Sequence, residues 1–178
     1  EVLGRFRGAH TASIHPLVAC PNPSAAAAAL QTACFAVEAT PEAEPTARQL
    51  ATMLGGRSIV IRKEAKAAYH AGAVMASNLV VAVLHLATQL AEQAGGLELR
   101  QPILDLAEGA IRAARQLGTI DALTGPVARG DADTVRHHIK SLAQHPEALQ
   151  VYRCLSRIAL SMAAAHGLDR QAVTAIET

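Results

Sequence analysis

The sequence has no tryptophan, and aromatic residues make up only 2% of its 178 positions. Two Phe and two Tyr give few platforms for stacked bases, so binding of single-stranded nucleic acid is not expected. A strong charge of one sign is also missing. The formal net charge is +1, which removes any broad attraction to nucleic acid or to an anionic membrane. Lysine is scarce: Lys63, Lys66 and Lys140 are the only ones. Cys20, Cys34 and Cys154 are odd in number and match no metal-ligand spacing, so free thiols in a cytoplasmic protein are expected. His137 and His138 are adjacent and diverge on a helix, so no metal site is expected. P-loop, G-x-S-x-G and G-x-G-x-x-G signatures are all absent. The longest apolar run, 71–84, contains Ser77 and Asn78 and stops at His85. On that reading it is too short and too polar to span a bilayer.

What is present is helix-forming and globular. Hydrophobic residues make up 51% and charged residues 17%, and alanine dominates. The first third alternates. "TASI" (11–14) reads as a strand, "PSAAAAALQ" (23–31) as a helix and "CFAVEA" (34–39) as a second strand. "PEAEPTARQLATML" (41–54) reads as an amphipathic helix and "RSIVI" (57–61) as a third strand. Strands alternating with helices predict about three parallel strands joined by crossover helices. After residue 62 the pattern becomes wholly helical. One long helix is expected over 63–94, then helices over 98–117, from Asp131 or Asp133 to about 144, over 147–166 and near 169–176. The expected fold is mainly α: a short α/β segment, 1–62, followed by an all-α domain, 63–178.

Three stretches carry candidate chemistry. In "KAAYHAGAVMASN" (66–78), Lys66, His70 and Ser77 fall within about 40° on a helical wheel, with Asn78 further round. A lysine held in an apolar environment acquires the pKa that a general acid or base needs. The plainer reading puts Lys66 in solvent and bonds His70 and Asn78 to loops. In "TGPVARGD" (124–131), glycines permit close backbone approach and Arg129 could hold a carboxylate or phosphate. The plainer reading is an interhelical loop with a capping aspartate. In "SIHPL" (13–17), a strand ending in His-Pro puts His15 at a carboxyl edge, where open α/β sheets bind ligands.

Taken together, "SIHPL…CFAVEA", "KAAYHAGAVMASN" and "ALTGPVARGD" resemble the Rossmann-like oxidoreductases carrying a DUF2520 C-terminal domain. These are relatives of ketopantoate reductase, 6-phosphogluconate dehydrogenase and β-hydroxyacid dehydrogenases. The resemblance implies that 1–62 end an NAD(P)-binding domain. It implies that 63–178 form a helical, 6-phosphogluconate dehydrogenase C-terminal-like domain that binds substrate and forms a homodimer. The implied activity is hydride transfer between NADP or NAD and a small keto or hydroxy acid. In that superfamily a lysine and an asparagine one turn later handle the substrate oxygen. Lys66 matches the lysine, and His70 stands at the asparagine position. Lys66 and His70 are thus the expected catalytic pair, Ser77, Asn78, Thr124 and Arg129 the substrate contacts, and His15 and Pro16 the cofactor contacts. The chain opens at Glu1 and lacks the glycine loop, so it is expected to be the rear part of a larger enzyme. The alternative is a non-catalytic helical interaction module with the same fold.

Overall fold

The structure is a computed structural model that describes residues 5, 6, 8–20 and 22–177. The chain forms two compact units, Glu1–Val80 and Val81–Thr178. The change from mixed to helical secondary structure falls near residue 62, so the first helical segment after the strands lies in the first unit.

That unit is built on strands β1 (Ala12–Pro16), β2 (Cys34–Ala39) and β3 (Arg57–Val60), in the order β1-β2-β3. Strand β2 pairs with β3 in parallel, Cys34 opposite Arg57. Strand β1 runs antiparallel to β2, Ala12 opposite Ala39 and Pro16 opposite Phe35. This corrects the expectation of three parallel strands. Among the described residues of 17–33, the one helix is the eight-residue α1 (Pro23–Leu30). They leave and rejoin the sheet at the same end, where the Leu17 N–H donates to the Cys34 carbonyl at 2.8 Å. Sequence alternation cannot tell such an excursion from a crossover.

Helix α1 is capped by Asn22, whose side chain accepts from the Ala25 N–H at 2.9 Å. Helix α2 (Glu44–Met53) buries Ala47 and Ala51 on one face of the sheet. There Phe35 and Ala51 form a core with Ala33, packed by Ile14, Val18 and Leu30. Gly56 enters β3 so closely that an added Cβ would lie 2.4 Å from the Phe35 ring and 2.5 Å from the Ala33 carbonyl. Only glycine fits there.

A 3-10 turn (Lys63–Ala65) leads into α3 (Lys66–Ala76) and then α4 (Asn78–Gly95). The single helix expected over 63–94 is therefore two. Ser77 breaks it at φ −126°, ψ −78°. Its hydroxyl donates to the Ala73 carbonyl at 2.8 Å, a local bond that competes with the helix ladder. By length and composition the stretch Lys63–Gly95 holds an 18-residue window apolar enough to cross a membrane, with a mean hydropathy of 1.7. This corrects the reading drawn from 71–84 alone.

The second unit contains most of α4, then α5 (Arg100–Leu117), α6 (Ala132–Ser141), α7 (Pro146–Ala165) and α8 (Arg170–Glu177). Its core gathers Val127, Val135 and Leu160, with Ile139, Tyr152, Leu168, Val173 and Ile176 against them. Asp131, not Asp133, caps α6, accepting from the Thr134 N–H at 3.0 Å.

Candidate functional site

Residues paired directly across antiparallel strands point to the same side. Ser13 lies opposite Glu38 and His15 opposite Ala36, so these side chains share one face, away from Phe35 and Val37. Helix α3 covers that face. Its five alanines, Lys66 and Met75 are strong helix formers, and its first two turns bring Tyr69 and His70 to His15. The Tyr69 hydroxyl and His15 Nδ1 are 2.8 Å apart. The His15 and His70 rings meet edge to face, with centroids 5.5 Å apart. Burial pushes the Tyr69 phenol above its ordinary range, and the neighbouring Cys34 thiol adds to the shift.

Beside the imidazoles lies a cleft of about 440 Å³. It is bounded by the end of β1 and the segment after it, by the second half of α3, and by the helix break. His15, Pro16, His70, Ser77 and Asn78 all line it, so five of the expected site residues converge. The break matters to this wall. Asn78 Oδ1 sits 2.9 Å from the Ser77 hydroxyl, and the interruption gives the cleft two polar side chains in succession.

Lys66 is placed differently. Its ammonium binds the Glu38 carboxylate, and it is not among the residues lining the cleft. The Lys66 side chain is 42% exposed and that of Glu38 14%. This answers why a lysine starts an apolar helix: it neutralises a largely covered carboxylate projecting from the sheet. The expectation of a lysine enclosed by apolar groups is corrected to a half-exposed ion pair. Thr124 and Arg129 belong to the second unit and are exposed there. Gly130 in the same loop, at φ +73°, is pressed against Ala172 of α8, so its small size serves packing.

Sequence reasoning missed Tyr69 and Glu38. The period-two pattern of "CFAVEA" puts Glu38 and Ala36 on one face, and Tyr69 stands one turn after Lys66. Both signals were present but lacked the register of β1. Among the described residues no group of three or more His, Cys, Asp or Glu is placed to hold a metal ion.

Comparison with known proteins adds the following. The profile of the family described as "Domain of unknown function (DUF2520)" matches residues 33–159. No curated protein matches the chain. Among solved structures, protein TM1727 from Thermotoga maritima is 27% identical with a TM-score of 0.76, over 87% of this chain and 62% of that one. BF3122 from Bacteroides fragilis, described as a "putative NADP oxidoreductase", is 21% identical with a TM-score of 0.71, over 89% of this chain and 61% of that one. The chain thus spans about three fifths of the length of either structure, and over the matched part it shares their fold.

Proposed function

The chain belongs to the DUF2520 family, and from that membership we propose that it is the substrate-facing part of an NAD(P)-dependent oxidoreductase acting on a small keto or hydroxy acid. The observation that carries this reading is the convergence of His15, His70, Ser77 and Asn78 on one cleft. The fold shared with BF3122 supports it at the level of architecture.

The cleft has the size of a small-molecule site, mostly apolar with a few polar groups along one wall. About 440 Å³ suits a nicotinamide ring with a small acid, and falls short of a whole dinucleotide. The chain has no G-x-G-x-x-G with which to hold the pyrophosphate. His15 and Pro16 would therefore flank only the nicotinamide end. When bound, that group supplies a hydride. The chain's own task is to orient the substrate oxygen and move a proton to or from it. The cleft imidazoles are placed for this; Lys66 is occupied by Glu38 and lies outside the lining.

Homodimerisation belongs to the same proposal. Leu79 and Val81 on α4 are 50% and 66% exposed, a costly arrangement for an isolated chain. Burial against a second copy would cover them.

A thermal-shift titration of the protein as encoded in its reading frame tests the reading, with NADPH, NADH and a panel of 2-oxo acids. Nucleotide should raise Tm, and turnover should fall more in His70→Ala than in Lys66→Ala. No shift with either nucleotide sinks the proposal.

A further inference from the structure

His15 enters the cleft with its two ring nitrogens in unlike situations. Nδ1 is taken by the Tyr69 hydroxyl at 2.8 Å, while Nε2 has no hydrogen-bond partner among the described residues. His70, the other cleft imidazole, is exposed and has no hydrogen bond to any described residue. One imidazole is oriented and the other is not. We propose that Tyr69 is a positioning residue: its hydroxyl fixes His15 through Nδ1, so that Nε2 is the atom that exchanges a proton with the oxygen of a carbonyl or hydroxy compound in the cleft.

The chemistry of a phenol suits this. A hydroxyl can accept as well as donate, and here it accepts from Nδ1–H both in the imidazolium and in the neutral ring that has lost its Nε2 proton. The ring keeps its orientation through either proton count at Nε2. In the reductive direction the imidazolium gives its Nε2 proton to the substrate oxygen as the carbonyl carbon receives the hydride, and neutral His15 remains. The oxidative direction reverses both transfers. Burial keeps the Tyr69 phenol protonated well above neutral pH, so the bond does not lapse in the working range. The His70 ring, 5.5 Å away and edge-on, closes one side without competing for Nδ1. Which ring nitrogen of a histidine holds its proton is set by the bond the other makes, and here that partner is a residue outside the cleft lining.

This inference rests on the oxidoreductase reading for its substrate but not for its geometry, and the test separates the two. Long-range proton–nitrogen NMR of the chain labelled in its histidines reads the tautomer of each ring. His15 should show one dominant tautomer with Nδ1 protonated and Nε2 bare at alkaline pH. Tyr69→Phe, which keeps the ring and loses only the hydroxyl, should collapse the separation of the two nitrogen shifts toward a tautomer average. His70→Gln should leave it intact. Matching amide spectra would show that both variants fold. An unchanged His15 tautomer in Tyr69→Phe overturns the proposal. Reduced nicotinamide mononucleotide is then added to the unmodified chain. A shift at His15 Nε2 supports both proposals, whereas a pinned His15 that ignores the probe counts against the oxidoreductase reading alone.

Discussion

Asp131 shows how one side chain can hold a loop and a helix together. The Thr134 hydroxyl, donating to it at 2.7 Å, and then the Thr134 N–H keep its carboxyl below the usual carboxylate range. Arg129, the residue read from sequence as an anion binder, adds to this lowering from nearby. Because the folded pKa lies below the unfolded one, Asp131 stabilises the fold above the ordinary carboxylate range. That contribution is lost as pH falls through the lowered folded value. Asp131→Ala should therefore lower Tm near neutral pH, and the gap from the parent should narrow on acidification. A gap constant from neutral to acidic pH in calorimetry would refute this role.

At the level of elements, Gly56 fixes how α2 delivers the chain into β3. Gly56→Ala forces a methyl into the Phe35 ring and the Ala33 carbonyl, and neither can retreat from a core that is nearly fully enclosed. A loss of about 1–3 kcal/mol in urea unfolding is expected, the range for overpacked sites. A stability unchanged within error would mean that the strand entry relaxes. The elements themselves were largely legible in the sequence. "CFAVEA" is β2 to the residue, and the helices after Gly118 fall where caps and the His-Pro breaker place them. Two things were not legible. The direction of β1 depends on where a loop returns, which local alternation does not encode. The break at Ser77 depends on a side-chain bond to Ala73, whereas propensity sees only an apolar helix running on. Both failures bear on the cleft, because the reversed strand and the broken helix are its walls. His70 and Ser77 line the cleft, and Lys66 is held away from it by a partner invisible without the sheet register.

For the whole molecule, the question is what covers the exposed apolar residues of α4. Val81→Asp adds charge where the wild-type side chain is 66% exposed, so the protomer fold should survive. Light scattering should show a dimer for the parent chain and a monomer for this variant at the same concentration. A monomeric parent would remove the homodimer from the proposal.

The reversal of β1 also polarises the first unit lengthwise. Helix α3 starts beside Glu38, at the carboxyl end of β2, and finishes past the end of β1, near the amino end of β2. Eleven helical steps from Lys66 to Ser77 span about 16 Å. A metabolite of a few carbons cannot bridge that gap. Substitutions at the Lys66–Glu38 pair and at Ser77, the two ends of that span, should therefore sort into two uncorrelated groups, one visible in denaturant and the other only when a ligand is present.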